Sequence, residues 1–376
     1  MKNTKREEIQ LEALQALHAS VGNTTLDVSM RVGKTLILIN FINAFLYKKK
    51  NIKVLWICED TKERDSALLE EFKKWGKDFL ITDKKVVLTS KRGLSKINPL
   101  DYSLVIFNEC HKINNTIAGY LLGFNCKIIG LTGTYPNQLS RKALLKEIGL
   151  NNICYKYSTD NAANDNVISD YTINIIQVPL DTDKNLVITY KDKRTKQQKQ
   201  FTTSEYISYE SLSNKIDNAV TSNGLKFARL NRMRSVSKFQ SKIRYVQKKI
   251  LQNVDKNKKT LIFVMDNKHA KSVGKYIFSS KTSDKYLNEF NKGKIPYLIL
   301  INKGGTGYTY DVPIDTVILL APNSTNSMQK IARGMINNKK HDLECIIPIS
   351  KNTVQIKWVM NSLENIDQSK IKISSV

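Results

Sequence analysis

The sequence predicts an α/β protein of two domains, each organised on a mostly parallel sheet. Three observations carry that expectation. Short apolar runs of strand length alternate with helical patterns in both halves of the chain, the rhythm of a parallel sheet covered on both faces. A Gly-Lys-Thr turn at Gly33–Thr35 stands between an extended segment and an apolar helix. A stretch rich in Asn, Asp, Ala and Ser at 159–169 suits a linker, which sets the expected domains at 1–158 and 170–376.

Residues 5–20 read as a helix with Ile9, Leu11, Leu14 and Leu17 on its apolar face. Leu26–Ser29 is extended, and LILINFINAF after the turn reads as a helix, because a phosphate-binding loop opens one. Val54–Asp60 is a buried type of strand, followed by a charged helix at about 62–76 with Leu68, Leu69, Phe72 and Trp75 as core contacts. Val86–Ser90, Leu104–Cys110 and Cys126–Thr134 are further strands. In the second half YTINIIQVPL starts a new sheet. LVITYKD and KQFTTSEYI flank KDKRTKQQKQ as a basic hairpin, and helical patterns follow at 205–220 and 223–254, a hairpin and helical segment over 185–255. Strands are expected at Thr260–Asp266, Tyr297–Asn302, Thr316–Pro322 and Cys345–Ser350, and helices at about 268–279, from Met328 to Ile336, and at 353–364.

The 376 residues suit two or three domains, and a hydrophobic fraction of 41% argues against disorder. Sixty Lys and Arg against 34 Asp and Glu give a net charge of +26, which favours a polyanionic partner, nucleic acid first. A solubility effect of excess lysine is the bland alternative. No apolar stretch reaches membrane-spanning length, and the N-terminus lacks the pattern of a signal peptide. Five cysteines without a Cys-x-x-Cys pair and four scattered histidines suggest neither a disulfide framework nor a zinc site, so an intracellular compartment fits.

Three motifs carry chemistry. In MRVGKT, the turn through Met30, Arg31, Val32 and Gly33 can present backbone N–H groups to phosphates. Lys34 adds a positive charge there, and the Thr35 hydroxyl can coordinate Mg²⁺. Val28 stands where the broad phosphate-loop pattern has its first glycine. In IFNECH, Glu109 follows an apolar strand and is placed to polarise an attacking water, while Asn108 offers an oxygen ligand without a charge. In LTGTYP, Thr132 and Thr134 flank a glycine at a strand end, where short hydrogen bonds can link nucleotide state to a domain interface. Taken singly, each motif also reads as an ordinary turn.

GKT, NECH and LTGT stand in the order and spacing of superfamily 2 helicases and translocases, and the chain resembles their DExH restriction-helicase-like and Swi/Snf-like branches. TLIFVMDNKHA, INKGGTGYTY and MQKIARG resemble the motifs of the second motor domain in that family, so the likeness covers nearly the whole chain. The resemblance implies two RecA-like domains with ATP and Mg²⁺ at the interdomain cleft. Lys34, Thr35, Asn108 and Glu109 would line one wall, with Gln329, Gly305 and Arg333 contributed by the second domain. Gln10 is expected on the adenine side, and His111, Thr132, Thr134 and Gly307 would couple the nucleotide to domain motion. Lys91, Arg92, Lys303 and Thr306 are the expected nucleic-acid backbone contacts, with Tyr308 and Tyr310 as base-stacking candidates that would equally serve packing.

Two positions depart from the family pattern. Asn108 replaces the usual aspartate, and Ile336 stands seven residues after Gln329, where a further arginine is usual. Arg333 would then serve alone, or Lys339 or Lys340 would approach. The reading is an ATP-dependent DNA helicase or translocase. Its alternatives are an RNA-dependent helicase and a nucleotide-gated binding or annealing module with weak turnover. DNA is preferred over RNA by family analogy, and replication, recombination or repair proteins are the compatible partners, in a host cytoplasm if the gene is phage-borne.

Overall fold

In the computed structural model the described residues are 4–48, 52–61, 63–192, 194–253, 255, 257–279, 282–301, 310, 312–322, 327–335 and 342–376. The chain divides into two compact units, Met1–Ser169 and Asp170–Val376.

The first unit begins with α1 (Thr4–Ala19), β1 (Thr24–Val28) and α2 (Lys34–Lys48). β2 (Val54–Cys58) leads through a π-helical turn, Glu63–Ala67, into α3 (Leu68–Lys74) and the short α4 (Phe79–Thr82). There follow β3 (Val86–Ser90), β4 (Leu104–Asn108), α5 (Asn115–Leu121), β5 (Lys127–Thr132), α6 (Leu139–Glu147), β6 (Ile153–Tyr157) and α7 (Thr159–Asn164). The strands form one sheet in the order β3-β2-β4-β5-β1-β6, every pairing parallel.

Burial explains why these runs are strands. β1, β2 and most of β4 and β5 are buried at successive positions, as a strand must be when both faces are covered. Leu55, Ile57, Val105 and Phe107 pack with Leu121, Leu145 and Leu150 in one cluster. Trp56 meets the edge of Phe72 at 5.8 Å, a pairing worth ~1 kcal/mol beyond its buried area. Leu69 and Trp75, expected as core contacts, are exposed, and so is Leu11. The buried stripe of α1 is instead Ile9, Ala13 and Leu17, spaced by four residues. The stretch expected as a linker opens with α7, which Ser158 caps by accepting the N–H of Asn161, and its Ala162 and Val167 are buried in the first unit.

The second unit starts with β7 (Tyr171–Val178) and an antiparallel pair, β8 (Leu186–Lys191) and β9 (Gln198–Thr203). The helices α8 (Glu205–Asp217), α9 (Ser222–Ser237) and α10 (Gln240–Tyr245) follow. The remainder is β10 (Thr260–Val264), α11 (Asn267–Val273), β11 (Ile277–Phe278), α12 (Lys285–Asn291), β12 (Tyr297–Ile301), β13 (Thr316–Leu319), α13 (Ser327–Ile331), β14 (Leu343–Ser350), α14 (Gln355–Ser362) and β15 (Ile371–Ser375). Its sheet runs β11-β12-β10-β13-β14-β7-β15, again parallel throughout.

Several expected boundaries move here. The helix expected over 223–254 breaks at Phe239, whose extended backbone (ψ 134°) drives its ring into a cluster with Tyr209 and Val236. The helix expected at 268–279 ends at Val273, and Ile277–Phe278 joins the sheet edge as β11. The tail adds a strand, β15, that was not expected. Among the described residues no helix is long and apolar enough to cross a membrane.

Candidate active site

The loop between β1 and α2 has two left-handed residues, Arg31 (φ 70°) and Gly33 (φ 103°). Such turns gather backbone N–H groups into a concave anion site. Arg31 holds its conformation at a cost of about 1 kcal/mol or more. The positive φ favours glycine at position 33, and a β-carbon there would also press against the Gln10 side-chain amide. Gln10, on α1, donates that amide to the Val32 carbonyl at 2.6 Å, so the residue expected beside adenine braces the loop. Val32 is buried, while Met30 and Thr35 are half-buried.

Lys34 opens α2 and donates Nζ to the Val28 carbonyl at 2.9 Å. Burial lowers the pKa of its ammonium group, and Glu109 and Asp27 pull it back up. No acidic residue occupies the first turn of α2, so the helix N-terminal dipole is unopposed for an anion. Gly133, the glycine between Thr132 and Thr134, lies against Met30 and Lys34. A β-carbon there would lie 2.9 Å from Lys34 Nζ.

Glu109 follows β4 in a left-handed conformation (φ 50°) and opens the 3₁₀ turn Cys110–Lys112. His111 is buried there. Its Nδ1 lies 2.9 Å from Thr132 Oγ1 and 3.2 Å from Glu109 Oε2. The Thr132 hydroxyl donates to the Thr134 carbonyl at 3.0 Å and accepts the Thr134 N–H at 3.1 Å. Burial pushes His111 down to about 3, so the ring is neutral. A proton on Nδ1 then serves both Glu109 and Thr132 as acceptors. NECH and LTGT are therefore joined through one imidazole across the adjacent strands β4 and β5.

Lys91, expected at a nucleic-acid backbone, is turned inward. It sits half-buried with Nζ 3.5 Å from the Glu109 carbonyl and 5.3 Å from the Phe107 ring centroid. Burial lowers its pKa. Arg92 is exposed. Two acidic residues after β2, missed by sequence reasoning, lie near this site, Glu63 in contact with Asn108 and Glu59 bonded to Glu63 through its backbone N–H. Glu63 accepts a hydrogen bond from Asn108 Nδ2 through Oε1, and burial pushes its carboxyl up to about 7. Glu59 pairs with Lys112 Nζ at 2.5 Å. The only sequence signal for either was an acidic run after a buried strand.

In the second unit Gln329 lies on α13 and Arg333 in the turn after it, both half-buried. Lys303, Gly305, Thr306, Gly307, Tyr308, Ile336, Lys339 and Lys340 lie outside the described residues. Tyr310 is 4% exposed and meets Phe290 edge-on at 6.1 Å, which makes it a packing residue and closes it to base stacking.

The donor set of the first unit suits a nucleotide with Mg²⁺. It offers the nest at Arg31–Gly33, the Lys34 ammonium, the Thr35 hydroxyl, Asn108 Oδ1 and the Glu109 carboxylate. Of these, the Thr35 hydroxyl, Asn108 Oδ1 and the Glu109 carboxylate are hard oxygen ligands, few enough for a hydrated Mg²⁺ that also takes phosphate oxygens, while the nest and Lys34 suit the phosphates. Among the described residues no group of three His, Cys, Asp or Glu could hold a metal by itself.

Two parallel-sheet units of this kind, with loops gathered at the carboxyl ends of β1, β4 and β5, have the architecture of RecA-like helicase domains. The helicase domain of Hef from Pyrococcus furiosus superposes with a TM-score of 0.51 at 14% identity, over 95% of this chain and 97% of that one. The ATP-dependent Type ISP restriction-modification enzyme LlaBIII, solved bound to DNA, gives a TM-score of 0.61 at 12% identity. That match covers 99% of this chain and 31% of the enzyme, so the chain corresponds to about a third of the larger protein. The sequence matches no protein-family model and no curated protein.

Proposed function

We propose that this chain is an ATP-dependent motor on nucleic acid, with DNA as its track. The observation that carries the reading is the cluster at the carboxyl ends of three neighbouring parallel strands. There Lys34 lies within electrostatic reach of Glu109, and Glu109 shares His111 with Thr132. Ligands in open parallel sheets bind at this edge. The net charge of +26 supports a polyanionic partner, and the similarity to an enzyme solved on DNA favours DNA.

In this reading the nest and Lys34 hold the terminal phosphates, and Thr35 and Asn108 hold Mg²⁺, which screens phosphate charge when bound. Glu109 orients the attacking water and accepts its proton. His111 and Thr132 pass the occupancy of that position to the segment following β5. Arg333 is assigned to the developing phosphoryl charge on its sequence motif alone.

A second reading rests on Asn108, which removes one carboxylate from the cation site: a nucleotide-gated clamp that binds nucleic acid with little turnover. ATP hydrolysis measured without nucleic acid and with single-stranded DNA, duplex DNA and RNA, alongside strand displacement, separates the cases. Stimulation by DNA above RNA is expected. Equal or greater stimulation by RNA removes the DNA preference, and ATP-sensitive binding without hydrolysis establishes the clamp. Unchanged hydrolysis with every nucleic acid rejects the motor.

A further inference from the structure

We infer that Glu63 is a positioning residue for the divalent cation, supplying through Asn108 the negative charge and the orientation that Asn108 lacks. The inference rests on the nucleotide site proposed above.

An asparagine at a cation site has two defects relative to aspartate. It carries no charge, and one end of its amide is a donor that repels a cation. The contact with Glu63 addresses both. Asn108 Nδ2 is given to Glu63 Oε1, which leaves Oδ1 as the end of the amide that can face a ligand. Rotating the amide would put Oδ1 against a carboxylate and lose a charge-assisted hydrogen bond.

The carboxylate is itself fixed. Glu63 Oε2 accepts the Glu59 N–H at 2.5 Å, and the Glu63 N–H is donated to Asp60 Oδ1 at 2.9 Å. Both oxygens of Glu63 are thus committed to holding Asn108 and the turn after β2. The turn reaches Asn108 because β2 and β4 are parallel neighbours, with Ile57 opposite Phe107. Glu63 is the first residue of a five-residue π-helix, and such turns concentrate at working sites. Glu59, another acid near Glu63, is taken up by Lys112. With its carboxyl ionised, Glu63 brings to Asn108 the negative charge that an aspartate there would carry itself, placed one hydrogen bond further from the cation.

The test uses the full chain as wild type, as E63Q, and as the double variant E63Q/N108D, which exchanges donor and acceptor across the same contact. Mn²⁺ binding to the ADP-saturated protein is read from the electron paramagnetic resonance signal of free Mn²⁺, and ADP affinity is measured without metal. E63Q is expected to weaken Mn²⁺ about 10- to 100-fold, the effect of losing a partner that orients a ligand. Metal-free ADP binding should stay within about twofold in E63Q, and the double variant, with the carboxylate moved onto the ligand itself, should recover Mn²⁺ affinity to at least the wild-type level on the same argument. Mn²⁺ affinity in E63Q equal to wild type overturns the inference and leaves the nucleotide site standing. So does a folded double variant at least about tenfold weaker than wild type, and this arm holds even if E63Q alone fails to fold. A wild-type chain with no ADP-dependent Mn²⁺ binding removes the nucleotide site itself, and the inference with it.

Discussion

Gln10 Nε2 and the Val32 carbonyl, 22 residues apart in sequence, lie 2.6 Å from each other. The bond ties the first helix to the phosphate loop, and it occupies the space that only a glycine at position 33 leaves open. Gln10→Leu should cost about 1 kcal/mol of stability and weaken ATP about tenfold, measured by titration with a fluorescent ATP analogue. Gly33→Ala should be worse, because it pushes the Gln10 amide aside and adds an unfavourable φ. ATP affinity unchanged in both variants would dissociate this brace from nucleotide binding.

Lys34 and Glu109 should separate binding from turnover. Lys34→Ala removes the charge at the phosphates and should abolish ATP binding. Glu109→Gln keeps the shape but cannot accept a proton, so it should retain ATP affinity while hydrolysis falls about 100-fold or more. Full hydrolysis by the Glu109→Gln variant in a phosphate-release assay would exclude Glu109 as the base.

The imidazole bridge predicts an uncoupling phenotype. Thr132→Val deletes the acceptor shared by His111 Nδ1 and the Thr134 N–H. Basal ATP hydrolysis should persist, while its stimulation by DNA should fall severalfold. Loss of both rates in equal proportion would mean that Thr132 supports the catalytic geometry itself.

The β8–β9 hairpin turn is basic and exposed at Arg194 and Lys196, and Tyr190 and Phe201 face each other on its partly exposed surface at 5.9 Å. Replacing Arg194 and Lys196 together by Ala should weaken DNA binding and reduce the slope of log affinity against log salt by roughly two. An identical slope would make the hairpin turn merely solvated.

Lys242 gives the second unit a pH-dependent stability. It is fully buried, bonded to Gln355 Oε1 at 3.1 Å, and burial lowers its pKa from 10.5 to about 7. Between those values the unfolded chain holds the extra proton, so stability rises with pH across that window. Burial lowers Lys330 to about 8, which adds to the same trend. Each such group contributes at most ~1.4 kcal/mol per pH unit. Lys242→Met should therefore flatten the rise in melting temperature between pH 7 and 9. Gln355 Oε1 also accepts the Ser350 N–H at 2.9 Å, a bond that does not involve Lys242. Parallel pH profiles for wild type and variant would contradict the assignment.

The linear sequence determined the two parallel-sheet units and the local chemistry of their motifs. Continuous burial of strands such as VLWIC is written in composition, and a turn such as Val32–Lys34 is set by one residue's tolerance of positive φ. What tertiary structure decided were contacts between residues far apart in sequence. Gln10 turned out to brace the loop, Lys91 to point inward, and His111 to bridge β4 and β5. Glu63 reached Asn108, 45 residues away, although neither side chain announces the other. Local propensity acts within a turn or two of chain. Which side chains meet at a sheet edge depends on strand order, here β3-β2-β4-β5-β1-β6, and that order is set by packing both faces of the sheet at once.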